Sequence, residues 1–327
     1  MKAVVVSEPG GPEKLQLVEL PDPVPGNGEV AIEIHASALN RADLLQRRGL
    51  YPPPPGTTDI LGLECSGVVS ALGPGCTGAL QLGERVMVLL AGGGYAERVV
   101  VPEALAMKLP NALSFEEAAA IPEAFLTARE AMFVSGALGA GESVLIHAAA
   151  GGVGSAAVQM ARAAGARVFA TAGGALKCDW VQKLGADVVI DYKSQDFAAV
   201  IGEQTAGRGV DLILDFVGAA YADQHAACLA ARGRHVLIGV LGGAQATINL
   251  ARLMHKRQSL IGIVMRTRSM QEKIELTRAF ARTHLPLFAK GRLKPLVDRV
   301  FALSEVAQAH EHMEGNQNLG KIVLRVR

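Results

Sequence analysis

The sequence predicts an α/β protein in which a doubly wound parallel sheet is inserted into a β-rich domain. Short β-rich runs fill the first hundred residues, strands and helices alternate regularly over residues 143–264, and a lone strand-like run closes the chain. The alternation is typical of a parallel sheet that is covered by helices on both faces. The last strand has little partner in a finished sheet of that kind, so we expect it to pair with the first domain.

The N-terminal part of the chain is strand-like and heavily punctuated. Runs such as KAVVVSE, EVAIEIHA and RVMVLL are separated by turn sequences such as EPGGPE and PDPVPGNG. Short strands at this spacing are typical of an antiparallel barrel or sandwich. The closing run KIVLRV alternates in the manner of a half-buried strand, so residues 1–118 and 265–327 are predicted to form one discontinuous domain.

The middle of the chain is predicted to form the parallel sheet, over residues 119–264. It opens with an Ala-rich helical stretch for which Ser114 is a suitable N-cap. Strands are predicted at 143–147, 167–171, 187–190, 211–216, 235–240 and 259–264, and helices at 153–164, 175–184, 195–205 and 219–231. Runs such as DLILDFV are continuously apolar, as expected for strands that are buried on both faces. We therefore expect about six parallel strands.

The composition indicates an ordinary globular protein. The chain has 327 residues, half of them hydrophobic, and a net charge of +1, so it offers no basic surface for nucleic acid. Its four cysteines are far apart, which favours a reduced, cytoplasmic protein over a disulfide framework. The uncharged segment between Glu142 and Arg162 has transmembrane length, but three glycines interrupt it. We expect neither a nucleic-acid partner nor a membrane partner.

A glycine-rich loop indicates a dinucleotide site. In SVLIHAAAGGVGSAAVQ a strand runs into a loop that satisfies G-x-G-x-x-A and opens a helix. Such a loop brings a helix N-terminus onto a pyrophosphate. The predicted phosphate-binding residues are Ala150, Gly151, Gly152, Val153 and Gly154.

The end of the second strand favours NADPH over NADH. In NAD-binding sheets an acidic residue at this point accepts hydrogen bonds from the adenosine ribose. Here the strand ends in Gly173 and Gly174, and Lys177 follows. An open glycine turn with an ammonium group suits a 2′-phosphate. Tyr192, just after the third strand, is predicted to pack near the same adenosine end, although a tyrosine there can also be a rim residue and Lys177 a solvated helix residue.

Several motifs together resemble the zinc-free quinone oxidoreductases of the medium-chain dehydrogenase/reductase superfamily. They are LNRADLLQRRGLYPPPPG, ILGLECSG, AAAIPEAFLTA, VLIHAAAGGVG and MEGNQNLGKIVL, and the resemblance covers essentially the whole chain. It implies a GroES-like catalytic domain that is interrupted by a Rossmann domain, with the active site in the cleft between them. It also implies a homodimer, which the apolar edge strand QSLIGIVM would join, and which light scattering would test.

The sequence differs from those of the zinc enzymes of the superfamily at the positions of their metal ligands. Those enzymes have Cys where this chain has Asn40, and G-H-E where it has Gly62-Leu63-Glu64, so only Glu64 remains. A catalytic zinc needs three protein ligands, and no four-cysteine lobe is present for a structural zinc. His310 and His312 lie two apart on a helical stretch and do not share a face. We expect no bound metal.

The resemblance also implies the site residues. Asn40, Asp43 and Tyr51 match positions that line the catalytic pocket, and the phenol of Tyr51 is a candidate hydrogen-bond donor to a quinone oxygen. The matching cofactor positions are Thr127, Gly239, Leu241, Gly242 and Asn318. Three alternatives stay open. Asp43 could pair with a neighbouring arginine (Arg41, Arg47 or Arg48), Tyr51 could belong to a rigid surface turn, and Thr127 could be structural.

The leading functional hypothesis is NADPH-dependent reduction of a quinone, or of another small electrophilic acceptor, by hydride or electron transfer in that cleft. A quinone needs no metal to polarise it, and hydride transfer then requires mainly proximity and orientation. A reductase of activated C=C bonds, as in alkenal or enoyl reductases, shares the cofactor loop and is the alternative. A non-catalytic crystallin-like or RNA-binding protein is the third possibility.

Overall fold

The computed structural model describes every residue from Met1 to Arg327. The chain divides into two compact units, one formed by Met1–Leu126 with Arg266–Arg327 and the other by Thr127–Met265. The sequence boundary at 118/119 assigned residues 119–126 to the second unit, whereas their contacts place them in the first. The reason is that Ala119 and Ala120 pack into a buried cluster with strand residues of the first unit.

Fifteen strands form three sheets. In chain order they are β1 (Lys2–Val6), β2 (Leu15–Glu19), β3 (Glu29–Ala38), β4 (Glu64–Leu72), β5 (Arg85–Leu89), β6 (Arg98–Pro102), β7 (Ala106–Lys108), β8 (Ser143–Ile146), β9 (Arg167–Ala172), β10 (Val188–Asp191), β11 (Val210–Asp215), β12 (Leu229–Leu237), β13 (Ser259–Gly262), β14 (Val297–Ala302) and β15 (Lys321–Arg325).

Eleven α-helices accompany them. They are α1 (Arg41–Arg47), α2 (Phe115–Ala119), α3 (Pro122–Arg129), α4 (Gly152–Ala163), α5 (Ala175–Leu184), α6 (Phe197–Gln204), α7 (Ala222–Cys228), α8 (Leu250–Lys256), α9 (Met270–Thr283), α10 (Leu285–Ala289) and α11 (Val306–Glu314). A π-helical segment, Glu130–Ser135, continues α3. No helix combines the length and the apolar character that crossing a bilayer requires.

The second unit is built on a six-stranded sheet in the order β10-β9-β8-β11-β12-β13. Every neighbouring pair in it is parallel. If these six strands are numbered 1 to 6 along the chain, their order in the sheet is 3-2-1-4-5-6. This is the order of the doubly wound dinucleotide-binding sheet, so the predicted fold class is confirmed. The order reverses between β8 and β11, and ligands bind such sheets at the carboxyl ends of the strands around this point.

The first unit contains a mainly antiparallel sheet in the order β14-β15-β3-β4-β5-β7, with β6 also paired to β3. The last strand of the chain lies beside β3, where Val323 faces Ala38 across an antiparallel ladder. The expectation that this strand returns to the N-terminal β-rich region is therefore confirmed. Its register places Ile322, Val323 and Leu324 in the core, each with 0% exposure.

The Ala-rich stretch after Ser114 forms two helices where the sequence suggested one. Ser114 caps α2 as predicted, because its Oγ accepts from the Glu117 amide at 3.1 Å while the Glu117 carboxylate accepts from the Ser114 amide at 2.9 Å. The break before α3 follows from Pro122, because a proline disfavours helical backbone in the preceding residue. The helix predicted over 219–231 is also shorter, since β12 already begins at Leu229.

Strand β13 lies at one edge of the parallel sheet, as predicted. Its Leu260 is 44% exposed, and on the preceding helix Met254 is 68% exposed. An exposed apolar edge is where a second chain would pair. The homodimer stays a prediction.

Candidate active site

The N-terminus of α4 has the geometry of a phosphate site. The Ser155 amide donates to the Gly151 carbonyl at 2.9 Å, so the amides of Gly152, Val153 and Gly154 precede the first intrahelical bond and are open to a ligand. A Cβ on Gly154 would lie 2.3 Å from the Ala148 carbonyl oxygen, so only glycine permits this close packing of helix and strand loop. The cradle fits the pyrophosphate of a dinucleotide.

The four residues predicted at the adenosine end lie together beyond β9 and β10. A Cβ on Gly173 would lie 2.8 Å from the hydroxyl oxygen of Tyr192, so this ring lies directly over the glycine turn. Gly174 has φ of 88° and precedes α5, whose first turn carries Lys177. Tyr192 is 39% exposed, which leaves part of its ring accessible to a ligand.

A carboxylate that the sequence analysis missed lies beside this turn. Oδ1 of Asp191, the last residue of β10, accepts from the Gly174 amide at 3.0 Å and from the Lys193 amide at 3.1 Å. These two backbone donors lower the pKa of Asp191. An acid was expected only at the end of the second strand, whereas neighbouring parallel strands end at the same edge of the sheet. The aspartate that ends the run VVID is the sequence feature that could have indicated this carboxylate.

Thr127 is buried with its hydroxyl unused. It is 4% exposed, and its Oγ1 has no hydrogen-bond partner in the chain. Buried hydroxyl groups are normally hydrogen-bonded, so an orphaned one calls for a ligand or another explanation. A nicotinamide carboxamide would supply the missing partner, which fits the cofactor position that the resemblance implies for Thr127.

The loop after β12 lies against the turn after β11. The Leu241 amide donates to the Phe216 carbonyl at 3.1 Å, and the Gly242 amide donates to the Val217 carbonyl at 2.7 Å. Leu241 is 61% exposed, and the Gly239 amide donates to the Asp215 carbonyl at 3.2 Å. The three predicted cofactor residues of this loop therefore lie at the carboxyl edge of the parallel sheet.

Asn318 lies in the first unit, just before β15. It is 7% exposed, and its amide nitrogen donates to the Gly320 carbonyl at 2.8 Å. This hydrogen bond lies within the loop that contains Asn318, and it uses only the nitrogen of the side-chain carboxamide. A cofactor-lining role for Asn318 stays a prediction.

Asn40 and Glu64 are held together by a buried ammonium group. Nζ of Lys321 lies 2.6 Å from Oδ1 of Asn40 and 2.6 Å from Oε1 of Glu64. Nδ2 of Asn40 donates to the same Glu64 oxygen at 2.9 Å, while the other oxygen accepts from the Glu123 amide at 2.8 Å. Lys321 and Glu64 are 5% and 0% exposed. Both carboxylate oxygens of Glu64 are therefore already hydrogen-bonded.

Asp43 is fully buried and organises the backbone around it. Its oxygens accept from the Asn40 amide at 2.7 Å, the Gly62 amide at 3.1 Å and the hydroxyl of Tyr95 at 3.2 Å. Burial outweighs these bonds and raises the pKa of Asp43 to about 6. The alternative that Asp43 pairs with a neighbouring arginine is wrong, because the three arginines hydrogen-bond elsewhere, Arg41 to Asn316 and both Arg47 and Arg48 to Glu314.

Tyr51 lies against an arginine that the sequence analysis did not single out. The Arg266 guanidinium lies 5.2 Å from the centre of the Tyr51 ring, and its Nη1 donates to the Tyr51 carbonyl at 3.3 Å. Arg266 is 5% exposed, and its Nη2 is buried without a partner. Burial, and then the charge of Glu123, raise the pKa of Tyr51, so the phenol keeps its proton at neutral pH.

Glu123 is a second group that the sequence did not single out. Burial raises the pKa of its carboxyl to about 8, with Glu64 and Asp43 adding to the shift and Lys321 opposing it. A carboxylic acid that keeps its proton at neutral pH can donate a hydrogen bond or a proton. Nothing in the run AAAIPEAF distinguishes this glutamate from an ordinary first-turn helix residue.

The Glu123 shift predicts a pH dependence of stability. Between about pH 4.5 and pH 8 the folded chain holds a proton that the unfolded chain has lost, so this group makes the free energy of unfolding fall as pH rises, by at most about 1.4 kcal/mol per pH unit. Glu123→Gln should remove that slope in denaturant titrations at pH 6, 7 and 8. The exposed Glu311→Gln variant is the control, and equal slopes in Glu123→Gln and the wild type would contradict the assignment.

Two family models match the chain. A zinc-binding dehydrogenase model matches residues 152–280, and an alcohol dehydrogenase GroES-like domain model matches residues 26–111. The human quinone oxidoreductase is 33% identical over 327 residues, covering 99% of this chain and 97% of that protein. The synaptic vesicle membrane protein VAT-1 homolog of Mus musculus is 33% identical over 345 residues, covering 99% of this chain and 83% of that protein.

Solved structures agree with these matches. A mycobacterial protein complexed with NADPH has a TM-score of 0.89 and 32% identity, with all of both chains covered. The CurK enoyl reductase has a TM-score of 0.88 and 32% identity, covering 100% of this chain and 99% of that one.

The chain therefore belongs to the medium-chain dehydrogenase/reductase superfamily, a superfamily of oxidoreductases. Both the GroES-like fold of the first unit and the parallel sheet of the second are accounted for by this membership. The motifs also predict a closer relation to the p53-inducible NADPH quinone oxidoreductase, and that finer placement stays a prediction.

Proposed function

We propose that the chain catalyses NADPH-dependent reduction of quinones. The observation that carries the proposal is the pairing of Tyr51 with Arg266, because it offers two donor groups for an acceptor oxygen. One is a phenol that stays protonated, and the other is the buried, unpartnered Nη2 of Arg266. Donors that are fixed in advance stabilise negative charge where it develops. NADPH supplies the hydride, and the oxygen of the reduced quinone gains the charge.

The cofactor is proposed from the second unit. The open amides at the start of α4 suit the pyrophosphate, and Lys177 with Tyr192 over the glycine turn suits the 2′-phosphate. The unpartnered hydroxyl of Thr127 suits the carboxamide. Asp191 opposes a phosphate electrostatically, but its Oδ1 is already occupied by two backbone amides. The NADPH complex of the mycobacterial relative supports the same assignment.

Reduction without a catalytic metal is part of the proposal. At the position where zinc enzymes of the superfamily bind their metal, the Lys321 ammonium lies between Asn40 and Glu64. A cation there repels a second cation, and the Glu64 oxygens that could bind one are already hydrogen-bonded. A quinone is electrophilic enough to accept hydride without a metal.

Dialysis of the enzyme against a strong chelator should therefore leave the rate of quinone reduction unchanged. The measurement is NADPH oxidation with an ortho-quinone before and after dialysis, with the zinc content determined in the same samples. A loss of turnover that returns when stoichiometric zinc is added, while NADPH affinity and the folded fraction stay unchanged, would show that the metal has a catalytic role.

Reduction of an activated C=C bond is the second candidate. It is favoured by the similarity to an enoyl reductase and by Glu123, a carboxyl that still holds its proton at neutral pH. A C=C reduction needs a proton on carbon as well as a hydride, and such an acid can supply it. Parallel NADPH-oxidation assays with an ortho-quinone and an α,β-unsaturated ketone separate the two functions. Turnover of the ketone alone would overturn the quinone proposal.

A further inference from the structure

A cluster of histidines lies beneath the carboxyl edge of the parallel sheet. Asp215 ends β11, His235 lies in the neighbouring β12, and His225 lies in α7. One ligand atom from each of these side chains lies within 4.8 Å of the other two. Asp215 and His225 are 0% and 1% exposed, while the side chain of His235 is 16% exposed.

One buried nitrogen of these three side chains makes no hydrogen bond. Nε2 of His235 lies 2.8 Å from Oδ2 of Asp215, and Nδ1 of His225 lies 3.4 Å from the same oxygen. That Nδ1 makes no hydrogen bond although it is buried. Oδ1 of Asp215 accepts from the amides of Val217 and Gly218 at 2.7 and 3.0 Å, which fixes the carboxylate.

The neighbouring hydrogen bonds limit which ring nitrogen of His225 can carry the proton. Nδ1 of His147 lies 2.9 Å from Oγ1 of Thr171, and its Nε2 lies 2.8 Å from Nε2 of His225. A neutral imidazole has one donor and one acceptor nitrogen. If His147 donates to His225, the N–H at Nδ1 of His225 is buried and makes no hydrogen bond, although Oδ2 of Asp215 lies 3.4 Å away. If His225 donates to His147, its Nδ1 presents a lone pair beside the Asp215 carboxylate. A cation between the two groups satisfies both of them.

We propose that Asp215, His225 and His235 bind a divalent transition-metal ion, with zinc as the metal that suits them best. Two imidazole nitrogens and one carboxylate oxygen are a common zinc ligand set, with the fourth position open to water. Ligand atoms at about 2.0–2.1 Å from a tetrahedral ion are about 3.4 Å apart, which matches the His225–Asp215 separation. The shorter His235–Asp215 contact has to open by about half an ångström, and His235 is the least buried of the three ligands.

The surroundings of the three ligands support this site. Metal-binding histidines usually hydrogen-bond through their other ring nitrogen, and His147 provides that contact for His225. The partly exposed ring of His235 marks the side from which an ion can enter.

The proposed site is separate from the chemistry of the first unit. The prediction of no bound metal rested on the absence of cysteine and histidine motifs, whereas these ligands come from two neighbouring strands and a helix. Asp215 also begins the turn after β11. Its backbone carbonyl accepts from the amide of Gly239, in the loop after β12. A metal there would stabilise the second unit without entering hydride transfer, so the expected chelator resistance of turnover is unaffected.

The test is a Co²⁺ titration of the metal-depleted full-length protein, followed by visible absorption and by Zn²⁺ competition. One equivalent of Co²⁺ should bind with the spectrum of a nitrogen and oxygen site. His235→Phe and Asp215→Asn should each weaken the affinity at least tenfold. His312→Phe is the matched control, because His312 also lies 2.8 Å from a carboxylate, that of Asp298, and is 14% exposed, but it lies in the first unit.

Three results would overturn the site. They are no stoichiometric Co²⁺ binding by the wild type, unchanged affinity in both ligand variants, or an equal loss of affinity in His312→Phe. Circular dichroism checks that each variant is folded. Because Asp215→Asn keeps the size of the side chain and its acceptor for Val217 and Gly218, it decides the question if His235→Phe does not fold.

Discussion

Replacing Tyr51 by phenylalanine is expected to lower quinone turnover by about one to two powers of ten, each power corresponding to about 1.4 kcal/mol of transition-state stabilisation. The phenol is expected to donate to the quinone oxygen that gains charge as hydride arrives. Loss of a fully aligned and dry donor can cost about 2.7–4 kcal/mol. Because Tyr51 is only half-buried, water can partly replace its hydroxyl, so the smaller loss is expected.

NADPH affinity should stay the same in Tyr51→Phe, since the residues proposed to hold the cofactor's phosphates lie in the other unit. Steady-state rates with an ortho-quinone, together with NADPH titration by fluorescence, measure both quantities. Tyr221→Phe, which removes the hydroxyl of a partly buried tyrosine of the parallel-sheet unit, is the control and should keep full turnover. If Tyr51→Phe has full turnover and unchanged KM, Tyr51 is a rim residue and the proton comes from water.

Replacing Lys177 by alanine is expected to weaken NADPH binding by about 10- to 150-fold. A hydrogen bond to a charged group contributes about 1.5–3 kcal/mol, and the ammonium is proposed to contact the 2′-phosphate. NADH has no such phosphate, so its affinity should barely change. Dissociation constants of both cofactors, measured for the variant and the wild type, give the comparison.

Lys183→Ala is the matched control for this experiment, because Lys183 is an exposed lysine in the last turn of the same helix, α5. It should bind both cofactors as the wild type does. A wild-type protein that already prefers NADH would show that the missing acid on the second strand was misinterpreted, and that Asp191 dominates the electrostatics of this turn.

The sequence predicted the architecture well because the fold depends on local periodicity. Continuous apolar runs marked the strands of the parallel sheet, and the alternation in KIVLRV marked the last strand, β15. The break between α2 and α3 was not predicted, although Pro122 is a local signal for it. These features involve neighbouring residues, whose physical consequences are visible without knowledge of the fold.

The site was predicted less completely because its contacts join distant parts of the chain. Lys321 reaches Asn40 across 281 residues, and Arg266 reaches Tyr51 across 215. No local sequence pattern identifies such pairs. From the sequence alone, Lys321 and Arg266 cannot be told from ordinary solvent-exposed charged residues. The unpartnered Nη2 of Arg266 and the raised pKa of Glu123 depend on burial, which only the tertiary structure defines.

The Lys321 ammonium has a consequence for engineering. The resemblance suggests that a zinc enzyme could be recreated by installing Cys at position 40 and His at position 63, the two ligands that the zinc-dependent relatives have there. Those changes alone would introduce a metal beside a buried positive charge that Glu64 and the Leu39 carbonyl hold in place, the latter at 2.6 Å. A redesign would also have to replace Lys321 with a neutral side chain, so the last strand of the chain helps to decide which chemistry this scaffold can acquire.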